Sequence, residues 1–261
     1  MQGIDLFSGA GGMSTGAESC GVNVRYAVES DRDAAATFAL NHKNTTLIKR
    51  DIRSVKGSHF TSIDRSQPVL LFGGPPCQGF STSNQRNRGA DNENNWLFRQ
   101  YLRLVREVRP DWVVFENVKG LLETEGGFFL EAVLRGFKDV GYSATRFVLN
   151  SADYGVPQKR YRLFIVGSLH GIEVDAPKPT SVTERVTVAQ AFDDLPELDN
   201  GDAPDEAKYS IPARTQYAKR LRGALGKCHN NLVTNNAPHI IKRYSYIPQG
   251  GNWENIPNSP W

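Results

Sequence analysis

Short apolar segments alternate with segments of helical periodicity along the chain up to residue 166, and this alternation constrains the fold more than any other feature. A short apolar run that ends in glycine or an acidic residue is typical of a buried strand. Strands that alternate with helices predict a mostly parallel sheet covered by helices. The strands are expected at residues 2–7, 22–28, 68–72, 112–115, 143–149 and 162–166, and the helices at residues 31–40, 96–108 and 130–140.

Several glycine, acidic and thiol residues follow these strands directly. In an open parallel sheet, ligands bind where the carboxyl ends of the strands meet, because loops from neighbouring strands converge there. We therefore expect the functional site at this edge of the sheet. The residues that fall there are Gly9, Glu29, Asp51, Cys77 and Glu116.

The first strand leads into a glycine-rich turn. Residues 9–14 (GAGGMS) approach the dinucleotide pattern G-x-G-x-x-G, but Ser14 stands where the third glycine belongs. Glycines let the backbone approach a ligand, the next helix N-terminus can bind an anion, and Glu29 suits two ribose hydroxyls. A nicotinamide dinucleotide and S-adenosylmethionine both fit this pattern, and so does a plain tight turn.

Cys77 follows two glycines and two prolines at the end of a buried strand. A free thiol is often an inert core residue, but the prolines fix this one in a rigid loop at the functional edge. No histidine lies near it in sequence, so a cysteine protease lacks its base. Glu116 ends another apolar strand, where an acid is either functional or a simple cap.

A basic segment, residues 158–162 (QKRYR), follows near the end of the alternating pattern. If it is a strand, alternate residues share a face, and Gln158, Arg160 and Arg162 point the same way. Two fixed arginines can hold an anionic or carbonyl-bearing ligand and lower the pKa of a thiol. The alternative is an exposed basic strand without a ligand.

Four segments stand in the order found in DNA (cytosine-5)-methyltransferases, and the chain resembles that family up to about residue 170. They are residues 5–12 (DLFSGAGG), 73–81 (GGPPCQGFS), 116–118 (ENV) and 158–162 (QKRYR). The resemblance implies a Rossmann-like S-adenosylmethionine-dependent methyltransferase fold. It has a mostly parallel sheet with helices on both faces, followed by the start of a small, irregular target-recognition domain.

The resemblance also implies a role for each residue of the site. The Cys77 thiolate adds to carbon 6 of cytosine, Glu116 holds or protonates ring nitrogen 3, and Arg160 and Arg162 contact the base carbonyl and keep the thiol ionised. The cofactor-binding residues implied are Phe7, Gly9, Gly11, Gly12, Glu29, Asp51, Ile52, Pro76 and Leu97. The DNA-binding residues implied, in a loop that closes over a flipped-out base, are Ser81, Ser83, Arg86 and Arg88.

Composition sets the remaining expectations. No apolar stretch is long enough to span a bilayer, and three scattered cysteines match neither a disulfide framework nor a metal site. We expect a cytoplasmic protein that acts on bacterial nucleoid DNA, with double-stranded DNA as its partner and no membrane or metal. Acidic residues crowd positions 173–206, whereas positions 208–243 hold eight Lys and Arg and no acid, a contrast that marks either a polyanion-facing surface or a solvated face.

The chain is expected to hold two domains. Residues 1–176 form the catalytic S-adenosylmethionine-binding domain, and residues 177–261 form a linker and a partial target-recognition domain, in which residues 247–253 (IPQGGNW) resemble the family's early recognition segment. The family's C-terminal motifs are not recognisable here, as expected of a truncated chain or of one subunit of a split enzyme. Two alternatives stay open: the same chemistry on RNA, and a binding module that is inactive without a partner.

Overall fold

The computed structural model describes residues 1–76, 96–122, 124–181 and 183–257. The chain divides into two compact units. The first consists of Met1–Tyr154 and Lys159–Val182, and the second consists of Gly155–Gln158 and Thr183–Trp261. The boundary that composition places after residue 176 stays a prediction.

The first unit is built on a seven-stranded sheet. Its strands are β1 (Gln2–Leu6), β2 (Asn23–Val28), β3 (Thr46–Ile48), β4 (Val69–Gly73), β5 (Trp112–Val118), β6 (Ser143–Asn150) and β7 (Tyr161–Ser168). They lie in the order β3-β2-β1-β4-β5-β7-β6. The first five are parallel, and β7 runs antiparallel to both β5 and β6. The predicted α/β fold with a mostly parallel sheet is confirmed.

Helices connect the parallel strands. They are α1 (Gly12–Ser19), α2 (Arg32–Asn41), α3 (Phe98–Val108) and α4 (Phe128–Asp139). The strand order reverses between β1 and β4, so right-handed crossovers place α1 and α2 on one face and α3 and α4 on the other. Under α3 and α4 the core is aromatic: the rings of Tyr101, Phe115 and Phe137 meet edge to face. The reversal also opens a crevice at the carboxyl ends of β1 and β4, where ligands bind in such sheets.

Two expectations about the strands near the site were wrong. The strand expected at residues 112–115 runs on to Val118, so Glu116 lies inside β5 and opposite Phe164 of β7 rather than after the strand. The basic segment is not one strand either, because β7 begins at Tyr161 and leaves Gln158 and Arg160 outside it. The alternation argument therefore does not hold for Gln158, which belongs to the second unit.

The second unit contains short elements. They are α5 (Val188–Phe192), β8 (Glu206–Lys208), α6 (Gln216–Arg222), β9 (Lys227–His229) and α7 (Pro238–Tyr244), with β8 and β9 paired antiparallel. Positions 208–243, which are rich in Lys and Arg, are partly neutralised by ion pairs inside this unit. Arg214 pairs with Asp193, Arg222 with Asp194 and Lys227 with Glu206. Within the described ranges, no helix combines the length and apolar character that crossing a bilayer requires.

Candidate active site

A cavity of about 240 Å³ opens at the carboxyl ends of β1, β2 and β4. Six of the nine residues predicted to bind the cofactor line it: Phe7, Glu29, Asp51, Ile52, Pro76 and Leu97. Four further residues of its wall were missed by sequence reasoning: Val28, Ser30, Arg50 and Gly74. Each is a sequence neighbour of a predicted segment, which is the signal that could have found them.

The glycine turn follows β1 and contributes Phe7 to the wall of this cavity. Phe7 itself has φ 61°, a left-handed conformation that is strained for a residue with a side chain, and Gly9 has φ 56°. Backbone bonds hold the turn, with the Ser8 N–H donating to the Val28 carbonyl at 3.0 Å. Gly9, Gly11 and Gly12 shape the turn but do not line the cavity.

Gly11 makes room for a buried histidine. A Cβ at Gly11 would lie 2.2 Å from Nε2 of His42, so only glycine lets this ring pack against the turn. The ring stacks on Phe38, and its Nδ1 lies 3.0 Å from the Glu18 carboxylate. This contact ties the turn to α1 and α2.

Glu29 follows β2 and joins the turn to the cavity. One of its carboxylate oxygens accepts the Gly9 N–H at 2.8 Å, and the other accepts the N–H groups of Ser30 and Asp31 at 2.7 Å each. A fixed carboxylate at this position suits ligand hydroxyls. It also disfavours a pyrophosphate, because the Gly9 N–H is already used and negative charge would face Glu29. Of the two ligands that the sequence left open, the dinucleotide fits less well.

The remaining walls are apolar apart from Ser30, Arg50 and Asp51. Asp51 caps a short 3-10 helix, accepts the Arg53 N–H at 2.7 Å and pairs with the Arg53 guanidinium at 2.9 Å. Ile52 and Leu97 are buried beside it. A flat ring between these apolar side chains, with polar groups at the rim, matches the chemistry of an adenine nucleoside.

A carboxylate–arginine pair lies beside the carboxyl end of β4 and is formed by residues of β5 and β7. Nε of Arg162 on β7 lies 3.0 Å from Oε1 of Glu116 on β5, and each side chain is 22% exposed. Burial raises the pKa of Glu116, although the charges of Arg162 and Arg160 oppose that shift. Burial and the nearby charge of Arg160 lower the pKa of Arg162.

Gly74 connects this pair to the cavity. It lines the cavity, and a Cβ on it would lie 2.8 Å from Oε2 of Glu116. The buried Asn117 fixes the same loop, because its side-chain amide donates to the Pro75 carbonyl at 3.0 Å. The loop that leads to Cys77 is therefore held against β5 beside the carboxylate.

Some of the predicted site lies outside the described residues: Cys77, Ser81, Ser83, Arg86 and Arg88. In the part of the chain that the structure describes, no group of three or more His, Cys, Asp or Glu side chains is placed to hold a metal ion.

The sheet order and the crevice at its reversal define a Rossmann-like methyltransferase fold. The chain belongs to the family of C-5 cytosine-specific DNA methylases, whose sequence profile matches residues 1–254. It is 31% identical over 261 aligned residues to the Type II methyltransferase M.DdeI of Desulfomicrobium norvegicum, covering 97% of this chain and 62% of that protein. It is 38% identical to the Type II methyltransferase M.XorII of Xanthomonas oryzae pv. oryzae, covering 85% of this chain and 53% of that protein.

Solved structures show the same fold. A prophage-encoded E. coli protein described as a DNA modification methyltransferase superposes with a TM-score of 0.77 at 25% identity, covering 95% of this chain and 75% of that one. The Dnmt2 methyltransferase of S. pombe superposes with a TM-score of 0.51 at 20% identity, covering 74% of this chain and 53% of that one. The chain spans between half and two thirds of the length of the two curated relatives above.

Proposed function

We propose that this chain is the catalytic part of a DNA (cytosine-5-)methyltransferase of a bacterial restriction-modification system. It transfers a methyl group from S-adenosylmethionine to carbon 5 of a flipped-out cytosine in double-stranded DNA. One observation carries the proposal: Gly74 belongs to the wall of the cavity and lies so near the Glu116 carboxylate that a Cβ on it would be 2.8 Å from Oε2. A methyl donor in the cavity and a base held by Glu116 then meet at the end of β4.

The cavity residues fit S-adenosylmethionine. Glu29 accepts from the ribose hydroxyls, Asp51 and Ile52 hold the adenine edge, and Phe7 and Leu97 pack on its ring. The bound cofactor supplies an electrophilic methyl group on a positively charged sulfur. The carboxylates of Glu29 and Asp51 favour that positive charge, whereas they disfavour a pyrophosphate.

The chemistry begins at Cys77. Its thiolate forms a bond to carbon 6, and the electrons of the 5,6 double bond move into the ring and activate carbon 5. Glu116 gives a proton to ring nitrogen 3, which relieves the charge that develops there, and burial raises the pKa of Glu116 in the direction that this role needs. After carbon 5 is methylated, it loses its proton to a water molecule and the 5,6 double bond re-forms. The Cys77 sulfur then leaves as a thiolate, and ring nitrogen 3 returns its proton to Glu116.

The two arginines assist both Glu116 and the Cys77 thiolate in this step. Arg162 holds Glu116 in place at 3.0 Å, and with Arg160 it offers positive charge to the base carbonyl and to the Cys77 thiolate. A free thiol has a pKa of about 8.5, so nearby cations raise the fraction that is ionised near neutral pH. The positive charges of both arginines already act to lower the pKa of Glu116.

The target base must be flipped out of the DNA duplex, because carbon 5 cannot be reached while the base is stacked. Arg86 and Arg88 contact phosphates, and Ser81 and Ser83 contact the flipped nucleotide; all four lie outside the described residues. A further segment or a second subunit supplies the rest of the target recognition. The protein acts on nucleoid DNA in the cytoplasm.

A covalent trap tests the proposal. The chain is incubated with S-adenosylmethionine and mixed-sequence duplex DNA containing 5-fluorocytosine, with matched RNA in parallel. Fluorine cannot leave as a cation, so the Cys77 adduct persists and appears on a denaturing gel. We expect an adduct with DNA and none with RNA.

Two cysteine variants sharpen this test. Cys77→Ala abolishes the adduct, whereas Cys20→Ala, which removes an exposed free thiol elsewhere, leaves it intact. An adduct that persists in Cys77→Ala contradicts the assigned nucleophile. An adduct with RNA alone contradicts the assigned substrate, and no adduct with either polymer contradicts the assignment of the chemistry to this chain.

A further inference from the structure

Asp5 is a carboxylate buried under the glycine turn, and the reaction described above does not use it. It lies in the central strand β1 and is 1% exposed. One oxygen, Oδ2, accepts a hydrogen bond of 2.6 Å from the hydroxyl of Ser14, which is itself fully buried. The other oxygen, Oδ1, has no hydrogen-bond partner in the described part of the chain.

This bond holds the first turn of α1, which has no side-chain cap. The residue that caps α1 is Gly11, which has no side chain to accept from the first N–H groups of the helix. Ser14 is the third residue of α1, and both its hydroxyl and its backbone N–H stabilise the charged form of Asp5. The carboxylate on the strand therefore anchors the first turn of the helix, and its negative charge complements the helix dipole.

The segment between Asp5 and Ser14 is the turn that presents Phe7 to the cavity. Phe7 is held at a positive φ, a conformation that persists only when its surroundings impose it. Two side-chain carboxylates hold the turn: Asp5 bonds Ser14 at its far end, and Glu29 bonds the Gly9 N–H in its middle. Loss of either bond lets Phe7 relax away from the ligand.

Asp5 is also placed to respond to pH. Burial raises its pKa to about 7, helped by the negative charge of Glu29 and opposed by the hydrogen bonds of Ser14. Among the residues that the structure describes, Tyr101 on α3 is a second titratable group that interacts with it, and the Tyr101 hydroxyl lies within hydrogen-bond distance of two backbone carbonyls. Its partners in the sheet, Ala27 and Phe72, do not titrate.

We infer that Asp5 is a positioning residue for the cofactor turn, and that its ionised carboxylate, bonded to Ser14, holds Phe7 in its binding conformation. A charged acceptor makes a stronger hydrogen bond than a neutral one, so protonation of Asp5 loosens the turn. The affinity for the ligand therefore depends on whether Asp5 is ionised or protonated. The ligand in this inference is the one assigned under the proposed function.

The test measures the affinity of the purified chain for S-adenosylmethionine by calorimetry between about pH 6 and about pH 8. Wild type is expected to lose up to about tenfold in affinity for each pH unit below 7, because each binding event then releases one proton. The neutral product S-adenosylhomocysteine is expected to show the same midpoint, since the turn holds both ligands. A pH dependence confined to the charged ligand overturns the inference, because Asp5 then acts only as a distant charge.

Three variants separate the positioning role from a structural one. Asp5→Asn keeps an acceptor for Ser14 without the charge, and its affinity is expected not to change with pH. Ser14→Ala removes a bond that lowers the pKa of Asp5, so the midpoint is expected to move to higher pH. Asp139→Asn, which changes an exposed carboxylate on α4, is the matched control and is expected to behave as wild type.

A measurement without ligand distinguishes this inference from the proposed function. Hydrogen exchange of residues 5–15, corrected for the intrinsic effect of pH, reports how often the turn opens. Opening is expected to increase below about pH 7 in wild type and to be constant in Asp5→Asn. An equal pH response in both proteins overturns the positioning role, whereas failure of S-adenosylmethionine to bind at any pH overturns the proposed function alone.

Discussion

The guanidinium Nε of Arg162 lies 3.0 Å from Oε1 of Glu116 across the antiparallel strands β7 and β5. Arg162 stands opposite Val118, two residues from Glu116, so the two side chains are diagonal neighbours on one face of the sheet. Burial raises the pKa of the carboxyl even though the arginine opposes it. This relationship holds the Glu116 carboxyl group in a fixed orientation.

Glu116→Gln should slow methylation at least about a hundredfold, because the amide cannot protonate ring nitrogen 3. Affinity for S-adenosylmethionine should be largely retained, since Glu116 does not line the cavity. Single-turnover methylation and equilibrium binding measure the two effects. The control is Glu131→Gln, which alters a glutamate on α4 that also faces an arginine, Arg146 at 3.8 Å. Unchanged methylation in Glu116→Gln would remove its assigned role.

Gly74→Ala should impair both the cavity and the carboxylate. The new methyl group would lie 2.8 Å from Oε2 of Glu116, so the carboxylate must move. We expect the methylation rate to fall about tenfold or more and cofactor affinity to weaken, since small misplacements at a reacting centre are costly. Gly226→Ala, at a glycine with nothing within 4 Å of the added carbon, is the control. A variant with normal kinetics contradicts the link between the cavity and Glu116.

Gly11→Ala should destabilise the protein by about 1–3 kcal/mol. Its Cβ would lie 2.2 Å from His42 Nε2, and its φ of 97° is unfavourable for alanine. Chemical denaturation, followed through the unfolding transition of the first unit, measures the change in the free energy of unfolding. Gly12→Ala, where nothing lies within 4 Å, should cost far less; equal losses in both variants would mean that the His42 contact is unimportant.

Glu29→Gln should weaken S-adenosylmethionine binding about tenfold or more. The carboxylate accepts three backbone N–H groups, and hydrogen bonds to a charged acceptor are worth about 1.5–3 kcal/mol. The neutral amide holds the Gly9 N–H less strongly and presents one acceptor oxygen instead of two. Calorimetry checks this result, with Glu131→Gln again as the control, and an unaltered affinity contradicts the ligand position that we propose.

Asp111 should make the fold more stable above about pH 4 than below it. Burial raises its pKa, but the Val69 N–H at 2.8 Å and His170 at 2.8 Å outweigh burial, and the net pKa lies below its ordinary value of 3.8. A lowered pKa in the folded state contributes stability above the pKa of the unfolded chain, and this contribution is lost as the pH falls through the folded value.

Asp111→Asn removes that contribution. Its deficit in the free energy of unfolding relative to wild type should therefore shrink as the solution becomes more acidic. Denaturation curves at a series of acidic pH values measure the deficit, with Asp139→Asn as a neutral reference. A deficit that stays constant with pH shows that the Asp111 charge does not contribute.

Strand and helix positions near the glycine turn follow from local pattern. Apolar runs and their glycine or acidic ends predicted β1, β2 and β4 to within a residue or two, because these short strands are buried on both faces. The same reasoning failed at β5, since its last three residues pair only with β7, a strand that approaches from a distant part of the chain. Pairing partners of that kind leave no local signal.

The sequence by itself determined the α/β class, the family and six of the residues that line the cavity, because each depends on a short segment whose pattern is complete in itself. Only the tertiary structure decided that Arg162 pairs with Glu116, and that Gly74 lies next to both the carboxylate and the cavity. It alone revealed that Asp5 accepts a hydrogen bond from Ser14 in the first turn of the helix that begins at Gly12. These contacts join residues far apart in the chain, and packing between the strands and helices fixes them.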